Sequence, residues 1–156
     1  MTVALPRSPP IAPDRPDRPD RPDRPDRPAR SVTLLARRYG GAMELWHNPR
    51  CSKSRAAKEI LDDRQVAYVE RRYLDDPPDA ATLDRVLTAL GKQPWDVTRM
   101  GENRAKELRL ADQPHDRQAW IETLVANPLL IERPILIADD GRAVVGRPPE
   151  LVADLL

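Results

Sequence analysis

Residues 46–55 read WHNPRCSKSR and join a short apolar run to a helix-forming segment. The run that leads into them, Glu44–His47, predicts a strand, and the Asn-Pro-Arg sequence at 48–50 predicts a loop. Ser52–Asp63 carries its alanine, isoleucine and leucine residues on one stripe at helical spacing, which predicts an amphipathic helix. Cys51, the only cysteine of the chain, is therefore expected where a loop passes into a helix.

Outward from this segment, the chain alternates between strand and helix patterns. Strands are predicted over 66–73, 134–138 and 143–145, with a turn-forming Asp-Asp-Gly-Arg sequence before the last of them. Helices are predicted after Asp79 as far as Gly91, over 117–126 and over 148–156, with one or two short helices within 94–110. This order predicts an α/β (α+β) fold with a small mixed sheet flanked by helices. Thioredoxin-like folds have this order, with a helical insertion between the second and third strands.

The first 42 residues differ from the rest in composition. They hold nine of the 18 prolines and a net charge of +4, and Asp-Arg-Pro occurs five times in succession over Asp14–Pro28. Such a tract has too little apolar surface to offset its ordering entropy, so 1–42 is predicted to be a disordered tail and 43–156 the folded domain. A glycine-rich sequence directly before Met43 suggests the hypothesis that Met43 is the natural start. Neither part is charged strongly enough to favour nucleic acid as a partner.

The numbers of cysteines and histidines argue against a disulfide-stabilised secreted protein and against a metalloprotein. A single cysteine excludes an intrachain disulfide, which fits a reducing, cytoplasmic compartment. Two histidines without a spaced His/Cys cluster predict no metal site, and no bound cofactor is expected. No segment approaches the ~20 apolar residues of a membrane span.

Cys51 has the surroundings of a reactive thiol. The free N–H groups and dipole of a helix start lower a thiol pKa, and the thiolate is the nucleophile. Pro49 is the only apolar neighbour, whereas an inert cysteine is expected among apolar residues. Arg55 adds positive charge, His47 can reach the loop, and the Ser54 hydroxyl could donate to the sulfur. His47 could equally be a histidine at a strand end with no chemical role. Arg55 could equally be a solvated charge.

Ser54 also limits the redox cycle. A dithiol enzyme would have a second cysteine at this position, three residues after Cys51. A chain with one thiol cannot resolve its own oxidised sulfur. The second thiol must therefore come from another molecule, whatever the substrate is.

Three motifs carry a resemblance to a known family: WHNPRCSKSR at 46–55, LIERPI at 130–135 and GRAVVGRPPELV at 141–152. In this order and spacing they resemble the glutaredoxin-linked arsenate reductase family, over essentially all of 43–156. The resemblance implies a thioredoxin-like fold with Cys51 as nucleophile and a cis bond before Pro134. It also implies an oxyanion site made by Arg99, Arg133 and Arg147. Arg104 lies near Arg99 in a weakly patterned segment and remains an alternative for the first arginine.

The function implied by the resemblance is that of an oxidoreductase in arsenic detoxification. Arsenate would be reduced to arsenite through a covalent adduct on Cys51, with glutathione as co-substrate and glutaredoxin supplying electrons. Guanidinium groups offer planar, paired donors to such an oxyanion and stay charged. One alternative is a general glutathione-dependent thiol reductase on the same fold. Another is a non-enzymatic regulator that binds RNA polymerase, although relatives of that kind usually carry a second cysteine where this chain has Ser54.

Overall fold

The computed structural model describes residues 42–156. The predicted disordered tail, 1–42, lies outside the described residues except for Ala42, and the hypothesis that Met43 is the natural start is not tested by the structure. Among residues 42–156, none of the helices combines the length and apolar character needed to cross a bilayer.

A four-stranded mixed sheet forms the centre of the fold, with the order β2-β1-β3-β4. Its strands are β1 (Met43–Trp46), β2 (Tyr68–Arg71), β3 (Ile135–Ile137) and β4 (Ala143–Val145). β1 runs parallel to β2 and antiparallel to β3, and β3 runs antiparallel to β4. The predicted mixed sheet, with its helical insertion between the second and third strands, is confirmed.

The helices lie where the sequence patterns predicted them. They are α1 (Ser52–Asp63), α2 (Ala80–Leu90), α3 (Asn103–Glu107) and α4 (Arg117–Ala126), with 3-10 helices at Pro94–Val97, Leu110–Asp112, Pro128–Leu130 and Pro149–Leu155. Asp79 caps α2 by accepting from the Thr82 N–H at 2.7 Å, and Gly91 ends it in the left-handed conformation with φ 63°. The C-terminal helix is a 3-10 helix, and the β2 strand is four residues shorter than the predicted 66–73.

Two hydrophobic clusters lie on opposite faces of the sheet because neighbouring strand residues point to opposite sides. Leu45 and Leu136 pack with Ala57 and Leu61 of α1 and with Val152 of the C-terminal 3-10 helix. Trp46 and Ile135, the neighbours of these two strand residues, belong to the second cluster, which includes Leu83 of α2 and Trp120 of α4. Full burial of one such aliphatic side chain stabilises the fold by about 1.5–3 kcal/mol. This packing fixes α1 against the sheet and thereby fixes the position of the cysteine before it.

Candidate active site around Cys51

Cys51 is the N-cap residue of α1, directly before its first residue, Ser52. Its backbone is extended, with φ −98° and ψ 122°, and its carbonyl oxygen accepts the Arg55 N–H at 3.0 Å. The preceding loop is held by Asn48, whose backbone oxygen accepts the Cys51 N–H at 3.0 Å. The Asn48 side-chain oxygen accepts the Arg50 N–H at 2.9 Å. Both oxygens of one buried asparagine therefore set the conformation of the cysteine loop.

The thiol of Cys51 has a lowered pKa. Partial burial is the largest influence and raises the pKa, but several groups together outweigh it. They are the backbone N–H of Ser54, the guanidinium of Arg133 and the backbone N–H of Lys53. Free N–H groups at a helix start favour the anionic form of the sulfur, as does the neighbouring cation. The thiolate is thus more populated at neutral pH than in an ordinary cysteine.

Ser54 acts differently from the prediction. Its side chain is fully buried, and its hydroxyl oxygen accepts the Asn48 N–H at 3.1 Å. No hydrogen bond from this hydroxyl to the sulfur is found in the described part of the chain, so that expectation is corrected. Ser54 influences the thiol through its backbone N–H, while its side chain holds the cysteine loop against α1.

Arg55 and His47 both support the loop. Arg55 Nη1 donates to the carbonyl oxygen of Pro49 at 2.9 Å, so its side chain braces the loop. His47 is 3% exposed, and its backbone N–H donates to the Arg71 oxygen at 2.9 Å. Burial lowers the pKa of its imidazole, which favours the neutral form. Its buried Nδ1 has no hydrogen-bond partner within residues 42–156.

Arg133 is the predicted arginine that lies beside the sulfur. Its side chain is buried, and Nη1 donates to the Leu129 carbonyl oxygen at 3.2 Å and to the Tyr73 hydroxyl at 3.5 Å. Its Nε is buried without a hydrogen-bond partner among the described residues. The bond between Arg133 and Pro134 is cis, as predicted, and the bond between Arg147 and Pro148 is also cis, which was not predicted.

Arg99 and Arg147 line one open cleft of about 460 Å³, which we call the arginine cleft. Each is paired with a glutamate: Arg99 with Glu102, and Arg147 Nε with Glu132 Oε2 at 2.9 Å. Arg147 Nε also donates to the carbonyl oxygen of Arg133 at 3.1 Å, which connects the cleft to the residue beside the sulfur. Arg99 and Arg147 therefore share one cleft, and Arg133 contacts Arg147 through its backbone carbonyl oxygen without lining that cleft.

Arg104, the alternative to Arg99, lies elsewhere. It is exposed, it pairs with Glu107 at 3.0 Å, and its Nε donates to the Asn127 side-chain oxygen at 2.8 Å. It does not line the arginine cleft. Of the two candidates, Arg99 is the one that the structure places with Arg147.

Tyr73 belongs to the site, although the sequence pattern predicts it only as the last residue of a strand. It is fully buried, stacks on Trp46 with ring centroids 6.3 Å apart, and accepts from Arg133 through its hydroxyl. Burial raises the pKa of this hydroxyl, whose surroundings include Arg99 and Cys51 as well as Arg133. A buried tyrosine must place its hydroxyl on a polar partner. That rule could have drawn attention to Tyr73, but nothing local in the sequence indicates the partner.

The strand order of the mixed sheet is that of thioredoxin-like α/β proteins. These proteins also carry a thiol of lowered pKa at the start of the first helix. Within that class the chain matches the model of the ArsC family over residues 46–155, and it belongs to this family. The resemblance to arsenate reductases carried by the three sequence motifs is confirmed at the level of the family.

Relatives of the chain include both named and uncharacterised proteins. It is 49% identical over 117 residues to an uncharacterised protein in the glnII region of Streptomyces viridochromogenes, covering 73% of this chain and 98% of the relative. It is 39% identical over 115 residues to an arsenate reductase of Neisseria meningitidis serogroup A, covering 73% and 97%. The solved structure of an arsenate reductase from Vibrio cholerae is similar, with a TM-score of 0.71, 35% identity and coverage of 75% of this chain and 99% of that one.

Proposed function

We propose that this chain reduces arsenate, or a similar tetrahedral oxyanion, through a covalent adduct on Cys51. The observation that carries the proposal is a thiol of lowered pKa beside the buried guanidinium of Arg133, next to a cleft with two further arginines. The family and the names of several relatives support the same substrate. Glutathione as co-substrate, glutaredoxin as partner and a cytoplasmic location are parts of this proposal.

Oxyanion binding would use the arginines together. A thiolate that attacks an anion faces repulsion, so fixed positive charges are needed where the two meet. Arg133 Nε is buried without a protein acceptor, and an oxyanion oxygen would supply one. Arg99 and Arg147 would exchange their glutamate partners for further oxygens of the same anion. Their ion pairs are partly exposed and therefore weak, whereas the new bonds to a multiply charged oxyanion are charge-assisted.

The proposed chemistry balances with two external thiols. The Cys51 thiolate forms a bond to arsenic, and one oxygen leaves as water after taking up protons, with arsenic still pentavalent. Glutathione then adds to the arsenic through its sulfur, and a second oxygen leaves as water. A third thiol, from glutaredoxin, attacks the glutathione sulfur, and the electron pair of that S–As bond passes to arsenic, which becomes trivalent. One water then displaces Cys51 from the arsenic, which releases arsenite and returns the thiol. Overall, two thiols give two electrons and two protons, and one disulfide, one water and arsenite result.

An arsenate reduction assay with glutathione and glutaredoxin tests the proposal, with each component omitted in turn. Cys51→Ser should abolish turnover. Arg99→Gln should lower kcat/KM by about 10²-fold, the size expected when a charged donor is removed from a developing anion. Arg104→Gln is the matched control and should leave the rate unchanged, since Arg104 lies outside the arginine cleft. Activity in Cys51→Ser, or equal losses in the two arginine variants, would contradict the proposed site.

A general glutathione-dependent thiol reductase is the second candidate. The observation that favours it is the pairing of Arg99 and Arg147 with glutamates, which reduces the positive charge available to an oxyanion. Such an enzyme needs Cys51 but not the arginine cleft. Comparing arsenate turnover with reduction of a small mixed disulfide separates the two, because Arg99→Gln should impair only the first reaction.

A further inference from the structure

A second depression borders the cysteine loop, and we call it the loop groove. It has a volume of about 470 Å³ and is lined by residues of the β1–α1 loop and of the segment after β2, among them His47, Arg50, Arg72, Leu74 and Asp75. It shares no residue with the arginine cleft. Its volume lies within the ≈ 300–1,000 Å³ range of small-molecule sites.

Charges in the loop groove are largely free. Arg50 and Asp75 are exposed, and neither forms an ion pair with another residue in 42–156. Arg72 pairs with Glu70 at 3.1 Å through Nε, so the terminal nitrogens of its guanidinium are not used in that pair. The groove thus offers two cations and one anion to a ligand, with only Arg72 already paired to a carboxylate within residues 42–156.

His47 lines the loop groove and carries a buried polar atom. It is 3% exposed, it lines the groove, and its Nδ1 has no hydrogen-bond partner among the described residues. A buried polar atom without a partner costs free energy, and a ligand recovers it only if the imidazole turns that atom towards the groove. This observation is independent of the charges on Arg50, Arg72 and Asp75.

We propose that the loop groove binds the thiol co-substrate, an inference that rests on the proposed function because that function requires an external thiol. A γ-glutamyl thiol tripeptide such as glutathione carries two carboxylates and one ammonium group at neutral pH. The carboxylates would pair with Arg50 and Arg72, and the ammonium with Asp75. The groove begins at the residue before Cys51, so the thiol of the bound peptide would approach the adduct while the arginine cleft holds the oxyanion from another side.

Titration calorimetry of the full chain with S-methylglutathione tests this site directly. The probe keeps the three charges but has no thiol, so binding is measured whether or not the protein turns over arsenate. The double variant Arg50→Gln/Arg72→Gln should raise Kd by about tenfold, as expected for the loss of two partly exposed ion pairs. Arg142→Gln is the matched control, because Arg142 lies in the β3–β4 turn and pairs with Asp140. No binding to the wild-type chain, or equal Kd values for all variants, overturns the proposal.

The ammonium contact has its own test. Acetylation of the probe's amino group should weaken binding to the wild-type chain but not to Asp75→Asn, which has already lost the partner of that group. If acetylation weakens binding equally in both chains, Asp75 does not receive the ammonium and the assigned orientation is wrong.

Kinetics separate failure of this site from failure of the proposed function. In Arg50→Gln/Arg72→Gln the KM for glutathione should rise about tenfold with the KM for arsenate unchanged, and Arg99→Gln should show the reverse. Absence of arsenate turnover in the wild-type chain would refute the proposed function, while the binding titration would still decide the loop groove. A rise in the KM for arsenate in the double variant would place these arginines in the oxyanion site instead and overturn the inference.

Discussion

Substitution of Gly146 by alanine should disturb both the stability of the fold and the site. Gly146 directly follows β4, and its N–H donates to the carbonyl oxygen of Pro134 at 2.8 Å. An added Cβ would lie 2.8 Å from Cγ of Pro134 and 3.0 Å from Cγ1 of Val152. Neither neighbour can easily move, because the proline ring is rigid and Val152 is fully buried. The backbone at Gly146 or at the Arg133–Pro134 bond must therefore shift.

The expected cost follows from that overlap. Overpacking of a close-packed core by a methyl group costs about 1–3 kcal/mol. For a domain of about this size, 1 kcal/mol corresponds to roughly 4 °C in Tm, so Gly146→Ala should lower Tm by roughly 4–12 °C. A shift at Pro134 also moves the guanidinium of Arg133, one of the groups that lower the pKa of the Cys51 thiol. The variant should therefore raise that pKa as well.

Thermal unfolding followed by circular dichroism and titration of the thiolate absorbance would measure both effects. Gly101→Ala is the matched control, because a Cβ at Gly101 meets nothing within 4 Å and its φ is not positive. Its free energy of unfolding should stay within about 0.5 kcal/mol of the wild-type value. A Gly146→Ala protein with the Tm of the wild-type chain would show that Pro134 is not confined as the structure indicates.

Three other predictions concern the groups around the sulfur. Ser54→Ala removes the acceptor of the buried Asn48 N–H, so urea unfolding should show a loss of about 1–3 kcal/mol, and an unchanged midpoint would count against this bond. Tyr73→Phe removes the hydroxyl that accepts from Arg133, so kcat/KM for arsenate should fall about three- to tenfold. The Tm should fall by no more than a few degrees. An unchanged kcat/KM would show that Tyr73 has no role in positioning Arg133. Because the pKa of Cys51 is lowered on folding, the wild-type chain should gain stability over Cys51→Ser as the pH rises from the folded to the unfolded pKa. That gain is lost as the pH falls through the pKa of Cys51 in the folded protein. If urea unfolding gave the same difference in stability between the wild-type chain and Cys51→Ser at every pH, the lowered pKa would be contradicted.

Local patterns were sufficient for the segment that carries the thiol. The predicted helices 52–63 and 117–126 match α1 and α4 because each has one apolar stripe at helical spacing. α4 also begins after Asp116, whose side chain accepts the Ala119 N–H at 3.1 Å. Loop chemistry also indicated Asp79 as a helix cap and Gly91 as a stop. The strand predicted over 66–73 was too long at both ends, since β1 has only four residues to pair with. Apolar content shows which residues can form a strand, but the length of the neighbouring strand decides how many do.

Contacts between distant side chains could not be read from the sequence. The pairing of Arg147 with Glu132 and the bond from Arg133 to Tyr73 join residues that are far apart in the chain. Both depend on side-chain rotamers that are set by packing. Ser54 shows the same limit at short range, because its hydroxyl could have bonded either the Cys51 sulfur or the loop. In the structure the hydroxyl is buried and accepts the Asn48 N–H of the loop.

In the proposed function, Arg133 would link the ionisation of the Cys51 thiol to oxyanion binding. Its guanidinium lowers the pKa of Cys51, and its backbone carbonyl oxygen accepts from Nε of Arg147 in the arginine cleft. One cation could serve both roles because Arg has five N–H donors in a fixed plane, and its bonds to the Tyr73 and Leu129 oxygens use Nη1 alone. An oxygen bound at the free Nε would then be held on the same guanidinium that stabilises the thiolate. The nucleophile and its target would therefore be positioned by one rigid group, and since that group is buried, their geometry would not depend on exposed side chains.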